Sequence, residues 1–128
     1  MVPLFPTREE VLALHEIQIA RYGGVVGLRD PAGFDSALAQ PQSTFADSWL
    51  HADLFEMAAA YLYHLARNHP FLDGNKRIGA ATAIVFLEMN GIDVSVDVQE
   101  LVDLVLAVAR GEADKLTVAA FFRGRAAT

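Results

Sequence analysis

The sequence has no cysteine. That excludes disulfides, iron–sulfur clusters, zinc ribbons and cysteine nucleophiles, and it fits a reducing compartment. A long hydrophobic run is also missing. The strongest apolar stretch without a charge, residues 78–87, is about half of the roughly 20 residues that a bilayer-spanning helix needs. It is expected to be a buried core helix, with no contact to a membrane. The first residues, Met1-Val2-Pro3-Leu4-Phe5-Pro6, lack the basic segment and apolar run of a signal peptide, so the expected location is the cytoplasm. Lysine and arginine never run beyond two in a row, and the net charge is −6. Both facts argue against a phosphate-tracking surface for DNA or RNA. There is no internal repeat and no low-complexity tract.

What is there is a chain of 128 residues, 53% of them apolar. That is enough to bury a core without disulfide or metal, and a single domain over residues 1–128 is expected. Thr7-Arg8-Glu9-Glu10 is a capping box. It predicts a first helix with Val11, Leu12, Leu14, Ile17 and Ile19 as its apolar face, closed at Tyr22-Gly23-Gly24. Residues 23–34 carry closely spaced glycines and an Asp-Pro turn signal, which predicts a loop or short hairpin. A short helix over residues 35–40 stops at Pro41. Residues 41–51 are expected to be irregular, with Phe45 and Trp49 anchoring them to the core.

Asp53 is placed to cap a helix whose apolar positions Leu54, Met57, Ala58, Tyr61, Leu62 and Leu65 follow the i, i+3, i+4, i+7, i+8 rule. The proline at position 70 ends it by residue 68 or 69. The central helix runs over residues 75–89, with Gly79, Ala80, Ala81 and Ala83 small enough for a neighbour to approach closely. After Asn90-Gly91 and an extended link over residues 92–96, Asp97 caps an amphipathic helix through Val98, Leu101, Val102, Val105, Leu106 and Ala109. A last helix begins near Asp114 and frays after Gly124. The fold class is therefore all-α, a bundle of about six helices with one glycine-rich excursion.

Between the two longest helices lies His69-Pro70-Phe71-Leu72-Asp73-Gly74-Asn75-Lys76-Arg77. The first turn of a helix has unpaired amides and a partial positive charge, so Lys76 and Arg77 are unfavourable there unless an anion is bound. A phosphate chain held by amides around residues 74–77, with Gly74 permitting close approach and Arg77 clamping, resolves the conflict. Asp73 is placed to hold Mg²⁺, which takes one or two carboxylates and completes its shell with water and phosphate oxygens. His69, four residues ahead, is placed to accept a proton from an attacking hydroxyl as a general base. Phe71 points into the core as the loop's anchor. The chemistry implied is nucleotide-dependent transfer to a hydroxyl.

This loop resembles the signature of the Fic/Doc family, whose Fic branch reads His-Pro-Phe-x-Asp/Glu-Gly-Asn-Gly-Arg and whose Doc branch has Asn-Lys-Arg near its end. The similarity extends to Tyr22-Gly23-Gly24, Gly27-Leu28-Arg29-Asp30-Pro31, Leu38, Pro41-Gln42, Phe86-Leu87 and Asn90-Gly91. The resemblance implies His69 as catalytic base, Asp73 as Mg²⁺ ligand, and Gly74 with Asn75 in the anion hole. It places Arg77 on the nucleotide phosphates and residues 23–34 as a hairpin flap that holds the target by strand addition. Lys76, where Fic enzymes have glycine, implies the Doc branch: a kinase toxin that moves the γ-phosphoryl of ATP to a threonine of translation elongation factor Tu and arrests growth. Gly74 is Fic-like and implies the alternative, a protein adenylyltransferase. A second alternative is a non-catalytic binding module on the same fold. Ala80 replaces the second arginine of many Fic enzymes, and no Ser/Thr-x-x-x-Glu helix is present. Both imply control by a separate antitoxin chain lying across the apolar groove beside the loop.

Overall fold

The structure is a computed structural model, and it describes residues 2–127. Its elements are α1 (Arg8–Tyr22), α2 (Pro31–Ala39), a 3₁₀ turn (Gln40–Gln42), β1 (Thr44–Phe45), β2 (Ser48–Trp49), α3 (Leu54–Asn68), α4 (Asn75–Met89), α5 (Val98–Ala109) and α6 (Lys115–Arg123). The all-α class holds, with a small antiparallel hairpin added. None of its helices is long and apolar enough to cross a membrane.

Helix starts follow side-chain caps. Thr7 and Glu10 form the reciprocal capping box of α1. Asp30, Asp53, Asp97 and Asp114 accept from the third amide of α2, α3, α5 and α6. Helix α4 differs: its cap is Gly74, at φ 75°, and no side chain covers its first amides.

The core is built on the pair α3 and α4. One cluster joins Met57, Tyr61, Leu62 and Ala66 of α3 to Ala83, Phe86 and Leu87 of α4, with Val105, Val108, Val118 and Phe122 behind them. The two central helices touch at Gly79, where an added Cβ would lie 3.0 Å from the Leu62 carbonyl oxygen. That neighbour is backbone and cannot rotate away. Gly79→Ala therefore destabilises the fold, because overpacking at about 1–3 kcal/mol outweighs the gain of about 1 kcal/mol in helix propensity. Urea unfolding checks this through a lower midpoint.

A second cluster, Val11, Phe34, Ala37, Leu65, Phe71 and Ile78, lies beneath the loop that follows α3. Here several sequence expectations change. The buried stripe of α1 is Val11, His15 and Ile19, spaced i, i+4, i+8, whereas Ile17 is exposed. Helix α2 starts at Pro31, not near residue 35, because proline suits a first helical position and Asp30 caps it. The hairpin lies at Thr44–Trp49, not within residues 23–34. Its turn, Ala46 and Asp47, has both φ angles positive at 51° and 66°. That geometry normally selects glycine or asparagine, so the sequence carried no hairpin signal. Phe45 does not anchor this segment and is 77% exposed, whereas Trp49 packs on Phe5, 5.8 Å away, which in turn stacks on the buried ring of Phe86. Nor does the end of the chain fray after Gly124. Residues 125–127 return to pair with the link before α5, Ser95 N–H donating to Arg125 and Ala127 N–H to Asp93. Thr128 lies outside the described residues.

On the far side of α3, the Lys115 ammonium sits 3.4 Å from His51 Nε2 and 3.2 Å from His64 Nε2. An ammonium only donates, so both imidazoles accept at Nε2 and are neutral. Burial, with the Lys115 charge and His51 adding to it, pushes His64 down to about 4. His51 is lowered too, by burial and Lys115, with Glu56 opposing. The native state then binds fewer protons than the unfolded chain between roughly pH 6.5 and pH 4, so stability falls as pH drops through that window and is unaffected above it. His64→Gln keeps an acceptor for Lys115 and removes the titration. Melting temperatures across this range should fall less in the variant than in the wild type.

Candidate active site

The loop departs from α3 at His69, whose backbone is left-handed at φ 48°. His69 is exposed, and its side chain makes no hydrogen bond to the described residues. Its carbonyl is held by the Arg29 guanidinium, which donates from Nε at 3.0 Å and also from Nη2. Arg29 Nη2 reaches the Asn68 carbonyl at 3.4 Å. A cation over the last carbonyls of α3 satisfies acceptors that the helix end leaves open.

Residues 27–30 run antiparallel to the loop. Arg29 and Asp30 N–H donate to Pro70 O at 2.8 and 3.0 Å, and Leu72 N–H donates to Gly27 O at 3.0 Å, around the Leu28–Phe71 bridge. This glycine-rich segment is therefore paired with the loop and not folded on itself. Phe71 is buried, stacks on His15 with ring centroids 3.6 Å apart, and meets Phe34 edge-on at 5.2 Å. Asn75 closes the turn from both sides: its Oδ1 accepts from Phe71 N–H at 2.8 Å and its Nδ2 donates to Phe71 O at 3.0 Å. The Asn75 side chain is thereby committed to the loop, which leaves its backbone amide as the group available to an anion.

Asp73 is exposed, and its Oδ2 accepts from Val25 N–H at 3.0 Å. An added Cβ on Gly24 would lie 3.2 Å from Asp73 Cβ, so a residue without a side chain lets the two segments meet. The other carboxylate oxygen is left for a cation. Among the described residues no group of three His, Cys, Asp or Glu side chains surrounds a common point. An ion at Asp73 would complete its shell with water and phosphate oxygens, a composition that suits Mg²⁺.

Beyond Asp73, the amides of Gly74, Asn75, Lys76 and Arg77 find no acceptor among the described residues. Lys76 is exposed and makes no ion pair there. Arg77 lies over the Tyr22 ring at 5.4 Å, and its Nη1 donates to Gly23 O at 3.3 Å, which leaves further donors of the guanidinium free. The loop thus brings a histidine, a carboxylate, uncapped amides and two cations to one surface. Such a surface has the groups needed to hold a phosphate chain beside a base.

From residues 74–77 a groove of about 700 Å³ runs between α4 and α5. Ala80, Ala81, Ile84, Leu101, Val105 and Leu106 line it. Val98 and Val102 on its α5 side are 73% and 44% exposed, so the apolar face of α5 is only partly covered.

His15 and Arg29 support the site without having been singled out as functional. His15 was legible in principle, since i, i+4 spacing from Val11 and to Ile19 places it on the buried face of α1. Arg29 gave no local signal.

Residues 5–87 match the Fic/DOC family. The chain is 41% identical over 111 residues to "Protein kinase doc" of Escherichia phage P1, an alignment covering 87% of this chain and 86% of that protein. It is 39% identical over 122 residues to "Toxin Doc" of Mycolicibacterium smegmatis, covering 94% of this chain and 92% of that one.

Proposed function

This chain belongs to the Fic/DOC family, and from that premise we propose that it is a Doc-type toxin acting as an ATP-dependent protein kinase. The observation that carries the proposal is Lys76 in the first turn of α4, the one α-helix of the described residues whose start has no side-chain cap. A cation there is repelled by the helix dipole unless phosphate oxygens occupy the space above the amides.

In the proposed reaction the threonine hydroxyl oxygen bonds to the γ-phosphorus while the bond to the bridging oxygen breaks, and ADP leaves. His69 accepts the hydroxyl proton. The amides of residues 74–77, with Lys76 and Arg77, hold the phosphate oxygens and offset the charge that builds on them. Asp73 would hold Mg²⁺, which when bound supplies charge neutralisation between phosphates. Phe71 and Asn75 keep the loop in shape. Residues 23–26, exposed alongside the loop, are proposed to hold the target segment by strand addition. The proposed target is a threonine of translation elongation factor Tu, met in the cytoplasm.

Control is proposed to come from a cognate antitoxin seated in the groove between α4 and α5, whose open apolar face reaches the phosphate-binding turn. Val102→Asp puts a charge in that seat at an exposed position. The variant should remain toxic when the neighbouring open reading frame is co-expressed, while the wild type is rescued. Rescue of both would place the antitoxin elsewhere.

Label transfer tests the proposal as a whole. ATP labelled at the γ-phosphate should label the elongation factor, and ATP labelled at the α-phosphate should not. The reverse pattern would favour AMP transfer, the outcome that Gly74 suggests.

A further inference from the structure

His15 is 1% exposed, yet it is a polar side chain on the buried stripe of α1. Its Nε2 lies 2.8 Å from the backbone oxygen of Asp73. A carbonyl oxygen only accepts, so Nε2 carries the proton and donates. The ring has no freedom to turn away, because it stacks on Phe71 with planes 9° apart. Gly74 lies against the same ring: an added Cβ would stand 3.5 Å from His15 Nε2 and 3.4 Å from Ile19 Cδ1.

These contacts fix one peptide plane. In a trans peptide the carbonyl of one residue and the N–H of the next point in opposite directions. With the Asp73 carbonyl drawn inward to His15, the Gly74 N–H must point outward, toward the uncapped start of α4. Without that donor the peptide has an alternative. Gly74 has no Cβ to oppose rotation, and a carbonyl facing apolar rings gains by turning to water. The turn would replace an outward N–H with an outward oxygen and set a partial negative charge where an anion should bind. The Asp73 carboxylate is held separately by Val25 N–H, so the effect falls on the peptide.

We infer that His15 is a positioning residue that holds the Asp73–Gly74 peptide in its anion-binding orientation. The inference rests on the proposed phosphate site, but its test does not need the transfer reaction. His15→Phe keeps an aromatic face against Phe71 and removes the donor. His15→Gln keeps an N–H donor and removes the stack.

The test is titration of inorganic pyrophosphate with Mg²⁺ into each ¹⁵N-labelled protein, following the Gly74 amide. Wild type and His15→Gln should bind with a shift at Gly74. His15→Phe, still folded, should bind at least about tenfold more weakly, the fold-change for losing one hydrogen bond to a charged group, with no shift there. If His15→Phe does not fold, His15→Met fills similar space without a donor and takes its place. A folded donor-less variant with wild-type affinity and shift overturns the inference, as does a wild type whose Gly74 amide ignores pyrophosphate. In the proposed reaction the same variant should lose about 10²- to 10³-fold in kcat, the worth of one preorganised donor, with KM for the protein target unchanged. If the pyrophosphate result holds and no protein is modified, the kinase proposal fails and the role of His15 stands.

Discussion

His69→Ala is expected to lower the proposed phosphoryl transfer about 10²- to 10⁴-fold, the range for removing a general base, and to leave the melting temperature close to that of the wild type. The structure separates the two quantities. The His69 side chain is exposed and touches nothing by hydrogen bond among the described residues, while its carbonyl, which alanine retains, carries the contact to Arg29. The left-handed backbone at φ 48° is uncomfortable for any residue with a Cβ, so the exchange adds little strain. Growth arrest should disappear with the activity. If cells expressing a folded His69→Ala protein still stop growing, His69 is not the base that matters.

Phe71→Ala has the opposite signature, a loss of about 3–5 kcal/mol in stability, as for other buried phenylalanines. Phe71 is 2% exposed and is enclosed by His15, Phe34 and the apolar cluster beneath the loop. The cavity would not close easily. Asn75 holds the Phe71 backbone from both sides, and residues 27–30 hold the loop from a third. Activity should fall because less protein is folded, and urea unfolding measures the loss directly. A Phe71→Ala protein of wild-type stability without activity would contradict this division of labour.

How much of this was legible in the sequence follows from how local each cause is. The caps Thr7, Asp53, Asp97 and Asp114 act within a single turn, and the helices they start lie where they were expected. Hydrophobic spacing identified α3 and α5 for the same reason, and a continuous apolar run with small residues identified α4. The hairpin was missed because Ala46 and Asp47 adopt positive φ without the glycine or asparagine that would announce it. The exposure of Phe45 was missed because an aromatic ring reads as core by composition, and its actual surroundings depend on where that hairpin lands. Pairing of the last residues with residues 93–95 is a contact between distant parts of the chain, which no local pattern encodes.

At the site, the nine residues 69–77 could be recognised as a unit because their chemistry is contiguous. Their support could not. His15 meets Asp73 from 58 positions away and Arg29 meets His69 from 40. The expected place of Asn75 in the anion hole falls to its backbone amide, because its side chain holds Phe71. Lys76, the least favourable residue by local helix electrostatics, is the one whose position most narrows the proposed chemistry.

The central claim is that this loop transfers a phosphoryl group, and the intact mass of the product tests it most directly. Translation elongation factor Tu incubated with the protein, ATP and Mg²⁺ should gain a phosphate-sized increment on a threonine, and should gain nothing when His69→Ala replaces the wild type. An AMP-sized increment, or an unmodified factor, would contradict the account.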